Sequence, residues 1–371
     1  MNSHVPIPQA GDIGHFWLHQ RLGWPVGDGD LVEIESLSRT GGVMGTVHRI
    51  RCGNRSLIYK TSSHHDSEWG RWAHDAAALE REVRMYRWLQ TTPAHTTSIA
   101  PHCYWSAIRP DGHGALALQD LGAGIIPNSA MARGLTYPQA RAAVRALALL
   151  HAHSACTGAP RQPPHPWLLT ARSPHLLDAI RMGLEEASVN ASLCATTTGP
   201  TAAQHFAHAD LPTMLVDAHH GARLAAICHG DMWASNLVFA EPGRPQGAPS
   251  AFLIDWQFAM WGNPLSDLAL LLLSSVHPDA RRRWEDQLLA HYHLILTSTT
   301  ALTYSPADCY SDYQRALPFA TLVALAAFDG FVAGMTHTQQ LQFAPRVTAA
   351  LTPPQFCAPG TSGPGFDEGK E

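Results

Sequence analysis

Apolar and polar residues alternate over residues 31–37, as they do in a half-buried strand. The pattern breaks at Thr40-Gly41-Gly42-Val43-Met44-Gly45, a glycine-bearing turn, and resumes as a strand over 46–50. Ser56-Leu57-Ile58-Tyr59-Lys60 is a β-prone run that ends in a lysine. Residues 76–89 contain few breakers. Leu79, Val83, Tyr86 and Leu89 recur there at steps of three and four, which predicts a helix. Ala115-Leu116-Ala117-Leu118 is an apolar strand entering the polar turn Gln119-Asp120-Leu121-Gly122, and 137–153 reads as a helix with Val144, Leu147, Ala148 and His151 on one side. Further on, the apolar runs 224–228, 237–239 and 252–254 are too short for helices and predict buried strands. Residues 268–273 and 317–335 predict apolar helices, 241–250 a turn, and the Pro/Gly-rich stretch 353–371 a mobile tail.

Two of these boundaries carry acids with a chemical use. The run 224–228 leads into His229-Gly230-Asp231, and five positions later Asn236 precedes the next strand. A carboxylate held on such a loop can take the proton of a hydroxyl while that oxygen attacks phosphorus. Asn236 offers a neutral oxygen, which suits Mg²⁺ beside a polyphosphate, and Asp255, ending the strand Phe252-Leu253-Ile254, can bind the same cation. Singly, each residue is an ordinary turn former. Together, at this spacing and followed by Trp256-Gln257, they favour a phosphoryl-transfer site.

The pattern HGDxWxxN followed by an IDWQ strand resembles the aminoglycoside phosphotransferase and choline kinase superfamily, most closely its ecdysteroid-kinase-like branch of small-molecule kinases. The resemblance implies an α+β, bilobal protein-kinase-like fold with a small β-rich lobe over residues 1–118 and a larger, mainly helical lobe over 119–352. It implies use of ATP and Mg²⁺, with Asp231 as the catalytic base and Asn236 and Asp255 as metal ligands. Lys60 is then the phosphate clamp. Glu82, in a segment matching the family's Glu-x-x-x-Tyr helix, would orient it, with Glu80 as the competing choice. Gly42 and Gly45 would belong to the loop covering the phosphates. The backbone near Leu118 and Gln119 would meet the adenine edge, although Gln119 stands where such kinases often have glutamate. Asp267, in a Gly-x-Pro-x-x-Asp-Leu pattern, is expected to cap its helix and brace the catalytic loop, and His151 to serve packing.

Other classes are disfavoured. GxGxxG is absent and a β-branched strand follows the glycines, which argues against a dinucleotide fold. Only twelve positions separate Asp255 from Asp267. That leaves no room for a protein-kinase activation segment, so no protein substrate is expected. A net charge of −5 gives no reason to expect nucleic acid or an anionic membrane as partner. The first residues lack a basic region followed by an apolar core, so a cytoplasmic location is expected. The seven scattered cysteines read as reduced thiols. There is no HExxH, and close pairs among 23 histidines, such as His15/His19 and His205/His208, do not justify a zinc site.

The expected partner is a small-molecule hydroxyl acceptor bound by large-lobe helices drawn from 161–222 and 317–335. Trp167, Trp261, Phe328 and Phe331 are candidates for an aromatic wall, and Asp329 for a polar contact. With no dense acidic cluster along the chain, an alcohol, amino alcohol or steroid-like acceptor is preferred over a polycationic aminoglycoside. An antibiotic-inactivating kinase is the alternative of the same chemistry. A silent pseudokinase is the alternative of another class, and retention of all five polar positions speaks against it.

Overall fold

The computed structural model describes residues 7–25, 27, 29–37, 45–62, 67–92, 99–122, 133–158, 162–190, 210–239, 251–332 and 334–349. Gly42, the turn 241–250 and the tail 353–371 lie outside them.

Five antiparallel strands build the small lobe: β1 (Val32–Ser36), β2 (Gly45–Cys52), β3 (Arg55–Ser62), β4 (Cys103–Ile108) and β5 (Gly114–Gln119), in spatial order β1-β2-β3-β5-β4. Side chains alternate across a strand, and the two faces of this sheet are apolar in different ways. Leu57, Tyr59, Ala115 and Ala117 pack on Leu18 of helix α1 (His15–Leu22) and on Ile13 and Trp24 beside it. Leu116 and Leu118 point the other way, onto Leu79, Val83, Tyr86 and Leu89 of helix α3 (Ala78–Gln90). Lys60 is paired with Val47 on one side and Leu116 on the other, in mid-sheet. By parity with Leu116 and Leu118, it faces α3.

The helix expected over 76–89 begins at Ala78. Before it lies a separate helix that the apolar spacing did not signal, α2 (Glu68–Asp75), N-capped by the Ser67 side chain. The break between the two falls at Ala77, which takes the left-handed φ of 51°.

The large lobe is mainly helical. It contains α4 (Tyr137–Ser154), α5 (Pro174–Val189), α6 (Leu211–His220), α7 (Leu265–Ser275), α8 (Pro278–Thr299), α9 (Pro306–Ala326), α10 (Phe328–Val332) and α11 (His337–Ala349). Short strands β6 (Cys156–Thr157), β7 (Leu224–Cys228) and β10 (Met260–Gly262) form one sheet, while β8 (Leu237–Phe239) pairs with β9 (Ala251–Leu253). Every residue of α7 is buried. Each leucine enclosed in this way contributes about 1.5–3 kcal/mol of transfer free energy, so α7 is a rigid post at the centre of the lobe. Among the described residues, no helix is long and apolar enough to cross a membrane, and all five described cysteines are free.

Candidate functional site

Lys60 reaches from the sheet to α3 and beyond it. Its Nζ lies 2.7 Å from Glu82 and 3.0 Å from Asp255 of the large lobe. Glu80 instead pairs with Arg84 one helical turn on, at 2.6 Å. Burial weakens the lysine's hold on its proton, but Asp255 and Glu82 more than restore it, and the pKa lies above the ordinary value. Burial likewise pushes the Glu82 carboxyl up to about 7, against the pull of Lys60. Gly45 opens β2 beside this cluster. A Cβ there would stand 3.0 Å from the Thr61 carbonyl oxygen and 3.6 Å from the Lys60 side chain, so the absence of a side chain keeps the approach to Lys60 open.

In the large lobe, β7 delivers the chain to His229, Gly230 and Asp231. The β8–β9 register, Leu237 opposite Leu253, brings Asn236 beside the end of the acid-bearing strand, and the Ile254 N–H donates to the Asn236 carbonyl at 3.0 Å. The Asn236 amide nitrogen donates to the Asp231 carboxylate at 2.9 Å and to its carbonyl at 2.8 Å. That leaves the amide oxygen as the atom available to a cation. Asp255 has φ of 67°, and among the described residues only Ala77 shares the left-handed region without being glycine. Such a conformation costs of order 1–3 kcal/mol and persists where surrounding contacts over-determine it. Burial, reinforced by the Asp255 charge, pushes the Asp231 carboxyl up to about 7. A proton acceptor poised there suits general base catalysis near neutrality.

The loop from His229 to Asp231 hangs from α7. Asp267 accepts from the backbone N–H groups of His229 at 2.6 Å and Gly230 at 2.9 Å, and contacts His151 Nε2 at 3.1 Å. The other His151 nitrogen meets the Tyr292 hydroxyl. The expected helix-capping role of Asp267 does not occur: Pro264 holds the cap position, and Asp267 sits within the first turn with its carboxylate turned to the loop. His151, Cys228 and Asp267 come close enough to share an ion. Each is already engaged, the Cys228 sulfur with the Ala226 and Gly262 carbonyls. Gly230 has φ of 83°, and a Cβ on it would sit 2.0 Å from the Phe258 carbonyl oxygen. Gly230→Ala should therefore unfold about 1–4 °C lower, by roughly the 1–3 kcal/mol of a strained backbone site, and lose activity. Equal melting temperatures would refute this account of the loop.

The two residues expected near the adenine end the strand β5, which is paired on both sides. Leu118 lies opposite Ile58 and Cys103, and the Gln119 N–H donates to the His102 carbonyl at 2.8 Å. Arg49 clasps the following Asp120 at 2.8 Å.

The proposed aromatic wall is dispersed. Phe328 is core, against Phe343. Trp167 stacks on His165, and Trp261 lines a separate polar cleft of about 730 Å³ with His219 and Asp308. Phe331 lies with its ring centre 4.3 Å from that of Trp233, two residues past Asp231. Asp329 accepts from the Asn190 amide at the end of α5. Sequence reasoning missed the other aromatic residues here. Trp72 stacks on Phe258, three residues past Asp255, at 5.1 Å, and Trp69 donates to Glu186 at 2.9 Å. Burial, together with Asp329 and Glu68, pushes the Glu186 carboxyl up. Ser67 ahead of Trp69 and Trp72 at a three-residue spacing was the signal that could have revealed α2.

The chain covers 90% of itself and 96% of a variant of aminoglycoside 2'-phosphotransferase-IIIa solved with GDP, at 14% identity and a TM-score of 0.50, a likeness that shows a shared fold. The ethanolamine kinase of Plasmodium vivax superposes over 91% of this chain and 86% of its own, at 12% identity and a TM-score of 0.49. No curated protein sequence matches the chain significantly. The architecture is thus the bilobal, protein-kinase-like one, and residues 196–304, which carry both acid-bearing motifs, match the ecdysteroid kinase-like family.

Proposed function

We propose that the protein transfers the γ-phosphate of ATP to a hydroxyl of a small molecule. The observation that carries this reading is the meeting of five polar residues from distant parts of the chain, Lys60, Glu82, Asp231, Asn236 and Asp255, in one chain of contacts that joins the small lobe to the large one. In this reading Asp231 takes the acceptor's proton, and Lys60, oriented by Glu82, holds the phosphates. The Asn236 amide oxygen and the Asp255 carboxylate, both hard oxygen donors, fit Mg²⁺. When bound, Mg²⁺ would neutralise charge on the phosphate oxygens. The domain division at 118/119 and the role of the glycine turn belong to the same proposal.

A second reading of the acceptor has specific support. Glu68 and Asp329 are close enough to help burial raise the Glu186 carboxyl, beside Trp69. Acid and aromatic faces together suit an ammonium group, which favours a hydroxylated amine over a neutral sterol. Incubating the protein with Mg²⁺, ATP or GTP, and a panel of alcohols, amino alcohols, steroids and aminoglycosides tests both readings. Mass spectrometry should find one class carrying an added phosphate. ADP release with no phosphorylated acceptor in any class would overturn the transferase reading, because water then serves as acceptor.

A further inference from the structure

We infer that Arg81 is a positioning residue of the proposed phosphotransfer site: its buried guanidinium holds the loop after Asp255 against the helix carrying Glu82 and clasps the small lobe to the large one. The inference rests on the reading of Lys60, Glu82 and Asp255 given above.

Arg81 is 5% exposed, and among the described residues no carboxylate lies within ion-pair distance of it. A buried charge without a counter-ion is costly unless its donors are satisfied. Here three main-chain carbonyls satisfy them. Nη1 donates to Gln257 at 2.5 Å, Nη2 to Ala76 at 2.7 Å and Nε to Trp167 at 3.1 Å. These oxygens belong to three separate segments: the metal loop two residues past Asp255, the break between α2 and α3, and the large-lobe stretch leading to the Leu169–Met260 bridge. Only a planar fork of donors reaches all three at once, and a lysine ammonium cannot reproduce it.

Arg81 and Glu82 are neighbours on α3, about 100° apart around the helix. Glu82 meets Lys60, Lys60 meets Asp255, and Arg81 binds the carbonyl two residues beyond Asp255. The contacts close into a ring. Asp255 sits in that ring with its left-handed backbone, a conformation that needs support on more than one side. Lys60 holds its carboxylate, and Arg81 holds the chain that follows. Helix α2 extends the clasp, since the Trp72 indole N–H donates to the His175 carbonyl at 2.8 Å while its ring stacks on Phe258. The position of Asp255 relative to Glu82 is therefore set by Arg81 as well as by the salt bridge.

The test uses the full chain with Arg81→Met and Arg81→Lys, checked for folding by circular dichroism. Titration calorimetry measures binding of a non-hydrolysable ATP analogue with and without Mg²⁺, and steady-state kinetics use the acceptor found in the screen. The analogue alone should bind both variants as it binds wild type, because Lys60 is untouched. The extra affinity given by Mg²⁺ should fall by about 10-fold or more, as for residues that orient a metal ligand. For Arg81→Met, kcat should drop by about 10²-fold at unchanged acceptor KM, with partial recovery in Arg81→Lys. A residue serving the fold alone would lower the melting temperature and leave the Mg²⁺ dependence intact, and that result overturns the inference. Should Arg81→Met fail to fold, Trp72→Phe removes the N–H to His175 and keeps a smaller aromatic ring beside Phe258. A wild-type Mg²⁺ dependence in that variant would equally sink the clasp. If no acceptor is ever phosphorylated but Mg²⁺-assisted binding still depends on Arg81, the phosphotransferase reading fails and the positioning role stands.

Discussion

Replacing Asp231 with asparagine should lower turnover by about 10²-fold or more while leaving nucleotide binding largely intact, and should at the same time stabilise the protein free of metal and nucleotide. The first effect follows from losing the proposed proton acceptor. The second follows from burial. The Asp231 carboxyl is pushed from 3.8 up to about 7, so between those values the folded state holds a proton that the unfolded chain has released. Stability of the wild type is therefore lost as pH rises through this window, and the full penalty remains above it. Asparagine carries no charge and pays no such penalty. Its advantage should be small near pH 4, grow towards pH 7 and level off at on the order of 2–4 kcal/mol. Thermal unfolding in EDTA at pH 5 and pH 8 reads this directly. If the variant gains nothing at pH 8, the base is not a buried, destabilised carboxylate; if turnover is unchanged, it is not the base.

Lys60→Met should produce the opposite change in stability. The ammonium is the common partner of Glu82, which is buried, and of Asp255, whose side chain is 37% exposed. Removing it strands the Glu82 charge, and breaking a buried pair in this way costs about 3–5 kcal/mol. Glu82, already raised to about 7 with the lysine present, would rise further and keep its proton in the folded state. The loss should thus be larger at pH 8 than at pH 5. The double variant Lys60→Met/Glu82→Gln should recover most of the stability and none of the turnover, since the phosphate clamp remains absent. Equal stability of Lys60→Met and wild type at both pH values would show that the ion pair contributes nothing. Normal turnover would remove Lys60 from the site.

Short-range order was legible from the chain. The apolar run ahead of Asp231, the spacing to Asn236, the strand leading to Asp255 and the lysine ending the run from Ser56 are local patterns, and each of the four residues lies on a strand or within three residues of one in the fold. Residue spacing alone could not separate Glu80 from Glu82, because both lie in α3 two positions apart. The sheet decided it. Parity along β3 turns Lys60 towards α3, and the helix presents Glu82 to it while Glu80 meets Arg84.

The surroundings of the residues proposed for an acceptor were the least legible. Phe328 and Phe331 are both core and both pack on Phe343, and Phe331 alone of the two also lies against Trp233. No dense run of acids marks the sequence, but Glu68, Glu186 and Asp329 are brought together from α2, α5 and α10. Helix α2 itself escaped notice because its signal is a serine cap and two tryptophans among polar residues. Its purpose is visible only where it docks on Phe258 and His175.

What the sequence determined by itself is which polar residues stand on or near the strands, because the two aspartates, the asparagine and the lysine are set by residue type and by spacings of a few positions that a loop or strand preserves. Tertiary structure alone decided which groups share a charge, which carboxyls are raised and which acids and aromatic rings are brought together. Those depend on burial and on contacts between residues up to 195 positions apart, as Lys60 and Asp255 are. Arg81 makes the distinction plain. In the sequence it is one more arginine on a charged helix, and in the fold it is a buried cation held by three carbonyls.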